Sequence, residues 1–499
     1  MTRVYSRRMF LGTALSAVAA VAEAGAPTVS LRPVLRPETL GNRARPVARD
    51  AQSLVQAAEL GGTVGYAVVD LKSGRELEAL NGSRGLPPAS VTKTVTAMYA
   101  LDALGANFRF RTKLIATGPI SNGVINGDLI LAGGGDPTLD TNALAGMAAN
   151  LKAAGIRAVS GRFRVYGDAL PRARVIDTSQ PEHVSYNPAL SGLNLNFNRV
   201  HFQWVRAGSG YTVTMDARSD KYRPEVRVAR MQIADRKVPV YTYRNGGDHD
   251  QWTVARGALG KSGTRWLPVR HPESYAAEVF ETFARSQGIT LRRGKALKTA
   301  PRGTEVVTHR SAALSVIIRG MLKHSTNITA ELMGMTASVK RQGKVASLAG
   351  SAREMTGWAQ RELGLAGAKF VDHSGLGDAS RITAASLARA LARAQSNAVI
   401  RPLLKPIPMR GKDGKVDKSH PVKVQAKTGT LLFVSTLAGY ARGPDGTELA
   451  FAFFAANEGK RSRVDRSTGE RVPGSRSWNK RAKRLQQGLI ERWAATYGG

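Results

Sequence analysis

The chain has 499 residues, with 73 Lys+Arg against 37 Asp+Glu and no cysteine. Its 42% hydrophobic and 22% charged content describes a folded chain of several domains, not a disordered basic tail. The missing cysteines exclude disulfide scaffolds, zinc ribbons and thiol catalysis. The net charge of +36 points to an anionic partner without saying which one.

In chain order, the paired arginines Arg7-Arg8 lead into an apolar run from Met9 to Ala22. That run is too short to span a bilayer, and Ala22-Glu23-Ala24 offers a small-residue cleavage site. Residues 1–24 therefore read as an export signal of the twin-arginine kind, which predicts a periplasmic mature protein. Its charge after cleavage is +34. Residues 25–48, rich in Pro, Arg and small side chains, read as a linker. No other apolar stretch reaches membrane-spanning length, so no integral membrane segment is expected in the mature chain.

Val64–Asp70 and Glu76–Leu80 read as strands joined by the turn Lys72-Ser73-Gly74. Pro87-Pro88 breaks the chain before a helix from Ser90 to Leu104, closed by Gly105. From about 115 to 300 the pattern changes to short alternating runs punctuated by Gly and Pro, including Gly127–Ala132, Arg162–Tyr166, Glu225–Ile233 and Val238–Tyr243. Helices return over Ala312–His324, Ile328–Lys340, Ser351–Leu363 and Ala384–Arg393. Two strands, Leu431–Arg442 and Thr447–Ala456, precede a last helix over Lys480–Thr496. Leu485, Leu489 and Trp493 on that helix are spaced to pack on the sheet. Helix-plus-sheet character at both ends, interrupted in the middle, predicts one α/β (α+β) domain split by a β-rich insertion.

The chemistry narrows by elimination. G-x-S-x-G and H-E-x-x-H are absent, and the eight histidines lack metal-ligand spacing. No cofactor or metal is expected. What remains is serine with lysine: Ser90-Val91-Thr92-Lys93 at a helix start puts Lys93 beside Ser90 on one face. A serine hydroxyl needs an adjacent base, and a lysine serves when burial and neighbouring cations lower its pKa.

S-x-x-K gains weight when S-x-N and K-S/T-G follow in order. Two triples satisfy the order: Ser90/Ser185/Lys261 and Ser90/Ser325/Lys427. The third motif should lie on a strand edging the site, where glycine admits a close approach of backbone. The apolar run Thr430–Leu437 follows Lys427-Thr428-Gly429, whereas Pro268 stops the run after Gly263. Ser325 also lies between two helices, while Pro188 closely follows Ser185, which favours the Ser325/Lys427 set.

These motifs resemble the low-molecular-mass class C penicillin-binding proteins, the D-alanyl-D-alanine carboxypeptidases and endopeptidases. The resemblance runs from about Asp50 to the end. It includes ASVTK at Ala89–Lys93, GDLILAGGGDPTL at Gly127–Leu139 and SYNPALSGLNLNFN at Ser185–Asn198. It continues through KHSTNITAELM at Lys323–Met333, DHSGLG at Asp372–Gly377 and AKTGTL at Ala426–Leu431. It implies a serine transpeptidase/β-lactamase-like catalytic domain over 49–115 and 301–499. The inserted region 116–300 would hold two nested β-rich domains, the inner one near 170–270.

The resemblance also implies the roles. Ser90 is the nucleophile, Lys93 its base, Ser325 and Lys427 a proton relay to the leaving amine, and Asn327 a ligand for the peptide amide or an orienter of Lys93. The oxyanion hole would be the backbone N–H groups of Ser90 and Thr430. Thr428 and Thr430, with Gly429 between them, would hold the substrate's terminal carboxylate, and Asp168 would meet a side-chain amine. Peptidoglycan stem peptides become the expected substrates and β-lactams covalent inhibitors; nucleic acid is not an expected partner. The sequence departs from the family at His373, where glycine is usual. At Asp378 some relatives place an arginine that meets the diaminopimelate carboxylate, and Arg381 stands nearby as a substitute.

Two other readings share parts of this pattern. A β-lactamase of the same fold would need a glutamate-held water, and Glu362-Leu363-Gly364-Leu365-Ala366 lacks the asparagine usual in that loop. A catalytically inert exported peptidoglycan-binding protein would rest on the basic segment Lys460–Arg484, with electrostatic attachment to anionic wall or membrane surface.

Overall fold

Six antiparallel strands form the sheet that carries the site, in the spatial order Lys405–Pro406, Lys423–Leu431, Val434–Arg442, Glu448–Ala456, Thr63–Asp70 and Glu76–Leu80. The computed structural model describes residues 50–395, 399–411, 413–465 and 472–498. The export signal and the linker expected over 1–48 lie outside the described residues. Central strands Val434–Arg442 and Glu448–Ala456 are buried along nearly their whole length, which is why they read as continuous apolar runs without alternation. Val68 pairs with Phe451, so the sheet closes only when the two ends of the chain meet.

Helices cover both faces. On one, Thr92–Leu104, Leu314–His324, Asn327–Gln342, Leu348–Glu362 and Ala384–Gln395 share a core built on Tyr99, Met333, Trp358 and Phe454. On the other, the helix Ser475–Tyr497 buries Trp478, Leu485, Leu489 and Trp493 against Tyr66 and Phe451. That is the face its spacing predicted. Truncating a tryptophan so buried costs on the order of 3–5 kcal/mol.

Between these halves, strands Arg111–Ala116 and Thr304–Arg310 pair antiparallel where the chain leaves and returns. They continue into a four-stranded sheet with Leu129–Gly133 and Phe163–Tyr166. Two three-stranded sheets lie further along the chain. One joins Gly210–Asp216, Arg199–Ala207 and Ser262–Pro268; the other joins Ala229–Ala234, Asp250–Ala255 and Tyr241–Asn245. The region also holds two helices that the strand-like reading passed over, Thr141–Ala153 and Pro272–Ser286. Their signals were present: Asp140 caps the first, and Pro272 opens the second ahead of Tyr275, Val279 and Phe283 at helical spacing.

One strand assignment is corrected. The apolar run Thr430–Leu437 is not a single strand but the tip of a hairpin, with Leu431 opposite Val434 and Leu432-Phe433 as the turn. Phe433 takes φ 53°, a left-handed conformation that a bulky residue rarely adopts, so no Gly or Asn announced the turn.

Candidate active site

The turn that carries Ser90 is built from local strain. Ala89 has φ 47°, and the 3₁₀ turn Ala89–Val91 runs straight into the helix Thr92–Leu104. The spacing therefore sets Lys93 over Ser90, and its Nζ lies 3.1 Å from Ser90 Oγ. The same Nζ donates to Asn327 Oδ1 at 2.7 Å and to the Ser374 carbonyl at 2.8 Å. Two fixed acceptors thus occupy two of its directions and leave the third aimed at Ser90. A proton or a lone pair can point there.

Ser325 follows the helix Leu314–His324 in the left-handed conformation, φ 59°, which ends that helix and begins the turn into Asn327–Gln342. Lys427, on the strand Lys423–Leu431, places Nζ 3.0 Å from Ser325 Oγ and donates to the Thr428 carbonyl at 2.6 Å. Of the two triples, Ser325 and Lys427 meet. Gly263 instead packs under Trp204, whose ring lies 2.2 Å from where a Cβ would sit.

Gly429 is crowded in the same way. A Cβ there would stand 2.1 Å from Thr436 Oγ1 and 2.9 Å from the Ser90 amide nitrogen. The strand backbone therefore runs directly against the Ser90 turn and brings Thr430 to it. Ser90, Ser325, Asn327 and Thr430 line one cleft of about 510 Å³.

The electrostatics favour loss of a proton from both lysines. Lys93 is fully buried, and loss of water pushes its pKa down from the usual lysine range, while Glu331 and Asp372 pull it back up. Lys427 is pushed well down, first by burial and then by the positive charges of Lys93 and Lys405. Burial raises Glu331 chiefly, and the charge of Asp372 adds to it. Its carboxylate accepts from the backbone amides of His373 and Ser374, both at 2.9 Å. Ser374 then presents its carbonyl to Lys93, so Glu331 fixes the loop that fixes the lysine. Asp372 holds the same loop closed by accepting from the Gly375 and Gly377 amides. Gly375 allows the loop to press on the turn that carries Ser90: a Cβ there would sit 1.8 Å from the Ala89 carbonyl.

His373 is accommodated rather than disruptive. Its ring fills the space over Gly334, where a Cβ would lie 2.2 Å from the imidazole, and Nε2 bonds Ser351 at 2.7 Å. Burial pushes its pKa down to about 3, so the ring is neutral.

Asp168 does not line the cleft; it pairs with Arg172 at 2.6 Å, with Lys298 at 3.9 Å. Arg381 pairs with Glu458, and Asp378 with Arg461. The arginine on the cleft wall is Arg461, which also donates to the Leu432 carbonyl. The sequence reading missed it, together with Glu331 and Tyr186. Tyr186 belongs to the rejected Ser185 motif, yet its carbonyl accepts from Asn327 Nδ2 at 3.0 Å and its side chain lines the cleft. Among the described residues no cluster of three or more His, Cys, Asp or Glu is arranged to hold a metal ion.

S-x-x-K opening a helix, S-x-N joining two helices and K-T-G on the strand beside them, all around one cleft, is the arrangement of a penicillin-binding peptidase. The chain belongs to the D-Ala-D-Ala carboxypeptidase 3 (S13) family, whose model matches residues 47–472, and it is a serine-type carboxypeptidase of that family. It is 28% identical over 441 residues to a D-alanyl-D-alanine carboxypeptidase of an Actinomadura species, covering 83% of this chain and 81% of the relative. It is 24% identical to D-alanyl-D-alanine carboxypeptidase DacB of Haemophilus influenzae, over 81% of this chain and 88% of that one. The crystal structure of penicillin binding protein 4 from H. influenzae shares its fold, with a TM-score of 0.70 at 21% identity, covering 89% of this chain and 99% of that one. That protein has also been solved with a β-lactam bound.

Proposed function

We propose that the protein cleaves D-alanyl-D-alanine ends and cross-links of peptidoglycan stem peptides through an acyl-enzyme on Ser90, and that penicillins block it by acylating the same oxygen. The observation that carries this is the paired contact of Lys93 with Ser90 and Lys427 with Ser325 in one cleft. Neutral Lys93 takes the Ser90 proton as Oγ attacks the scissile carbonyl. Its two remaining N–H groups stay on Asn327 and Ser374. The amides of Ser90 and Thr430 receive the oxyanion; a donor of this kind is worth on the order of 10²–10³ in rate. Ser325, backed by Lys427, passes a proton to the leaving amine as the C–N bond breaks. Thr428 and Thr430 hold the carboxylate of the leaving residue, and water then releases the acyl group. Asn327 acts as the orienter of Lys93, since its amide nitrogen is engaged by Tyr186. Asp168 is assigned no step.

In this reading the region 116–300 is an insertion into a catalytic domain formed by 49–115 and 301–499, and residues 1–24 export the chain to the periplasm by the twin-arginine route. Among the described residues no helix is long and apolar enough to cross a membrane. Fluorescent penicillin followed by digestion of purified muropeptides tests the chemistry. A covalent adduct on wild type, its loss in Ser90→Ala, and release of D-alanine or monomeric stems support the reading. An adduct that survives Ser90→Ala sinks it.

A further inference from the structure

The helix Ser475–Tyr497 buries one face in the sheet and turns another to solvent. That second face carries Arg476, Lys480, Lys483 and Arg484, all exposed. Spacings of three and four residues make them neighbours, and like charges so placed repel. Among the described residues no carboxylate pairs with any of the four. With Arg410 they line a groove of about 860 Å³. Its two acids are already engaged: Asp413 accepts from the Lys415 amide at 2.9 Å, and Glu491 accepts from Gln487 at 2.9 Å and lies 3.3 Å from His420. Thr430 and Asn479 line both this groove and the cleft that holds Ser90. The groove is therefore a continuation of the active site with an unsatisfied positive field.

We infer that this groove is the subsite for the leaving half of a cross-linked stem peptide, recognised by its carboxylates. The inference rests on the placement of the leaving residue's carboxylate at Thr430 proposed above. A leaving group that ends there is a single amino acid and does not reach the groove. One that continues must exit past Thr430, and the side chains waiting there are cationic. The field selects an anionic peptide over a free D-alanine, so the groove biases the enzyme towards cross-links. Its attraction acts on encounter and binding and is screened by salt.

The full mature enzyme is compared on three substrates: a cross-linked stem-peptide dimer, the same dimer with the leaving-half carboxylates amidated except the one placed at Thr430, and a short N-acylated D-Ala-D-Ala peptide. Wild type should cleave the charged dimer roughly tenfold better in kcat/KM than the amidated one at low salt, with the gap closing at about 0.5 M salt. The variant Arg476→Gln/Lys480→Gln/Lys483→Gln/Arg484→Gln should lose that advantage through KM while its penicillin acylation and short-peptide turnover match wild type. Equal rates on the two dimers, or an unchanged dimer KM in the variant, overturn the inference. So does a phosphate-rich wall polymer that binds the groove while dimer kinetics stay unaltered by the substitutions. Failure of wild type to turn over even the short peptide would instead overturn the reading of the cleft itself, and the groove assignment with it.

Discussion

The two serine–lysine pairs have nearly equal contacts, 3.1 Å for Lys93 and Ser90 and 3.0 Å for Lys427 and Ser325, but opposite surroundings. Lys93 faces two buried carboxylates, Glu331 and Asp372, whose charges work against the burial that drives off its proton. Lys427 faces cations, Lys93 and Lys405, whose charges work in the same direction as burial. Contact and activation are thus separate properties. Sequence spacing or strand position delivers the contact, while the charges of distant neighbours decide which lysine keeps a proton longer. A proton shared among these groups belongs to the set rather than to one residue.

The comparison breaks most sharply at the serines. Ser90→Ala should abolish the penicillin adduct and lower peptide turnover by about 10⁴-fold or more. Ser325→Ala should still form the adduct, about 10²-fold more slowly. An adduct that depends on Ser325 and not on Ser90 would reverse the two pairs. Next come the lysines. Lys93→Met should cost about 10³–10⁴ in acylation rate and Lys427→Met about 10²–10³, read by stopped-flow acylation. Equal losses would mean that the differing surroundings have no catalytic meaning.

A smaller effect tests the carboxylate directly. In the proposed mechanism acylation needs neutral Lys93, so its rate should rise with pH through the lysine's ionisation. Glu331→Gln removes a negative charge that holds the proton on Lys93, so the rising limb should move to lower pH. The plateau should fall about 10- to 100-fold, because a glutamine oxygen cannot serve both amides as the carboxylate does and an unpaired buried N–H costs about 1–3 kcal/mol. A limb that stays put or moves up removes Glu331 from the account of Lys93.

The smallest effect concerns whether the Lys93 side stays free of a further cation. His373 is neutral in the fold, with its pKa near 3 against 6.5 for the free side chain. Between those values the unfolded chain binds a proton that the folded one refuses, so stability falls as pH drops below 6.5. The slope approaches about 1.4 kcal/mol per pH unit. His373→Gln should lose less stability than wild type between pH 7 and pH 5 in urea unfolding, and an identical loss would refute the buried neutral ring.

How far the sequence reached follows from the range of each contact. Ser90 with Lys93 was legible because three residues in the first helical turn are neighbours by geometry. Ser325 and Lys427, favoured over Ser185 and Lys261, do meet in the fold, but the apolar run that favoured them is not one strand: it folds back at Leu432-Phe433. Four strands of the six-stranded sheet were legible, but Lys405–Pro406 and Lys423–Leu431 were not, and neither was the order, since Thr63–Asp70 lies beside Glu448–Ala456. Glu331 looks like any glutamate on a helix, and only the loop bearing His373 and Ser374 gives it work. Arg461 sat within a charge run whose members look alike. His373 read as a departure because its compensation, the missing side chain of Gly334, lies on a helix some forty residues earlier in the chain.

Tyr186 carries a consequence beyond its hydrogen bond. Its carbonyl holds Asn327, and its neighbours Gln180, Pro181 and Val184 form part of the cleft wall. The insertion is thereby thermodynamically linked to the catalytic centre, because whatever occupies the cleft binds both parts of the chain at once. A covalent β-lactam on Ser90 should slow amide hydrogen exchange across 180–187, although those residues lie some ninety positions along the chain from the serine. An antibiotic adduct would act as a staple between two segments that the sequence keeps far apart.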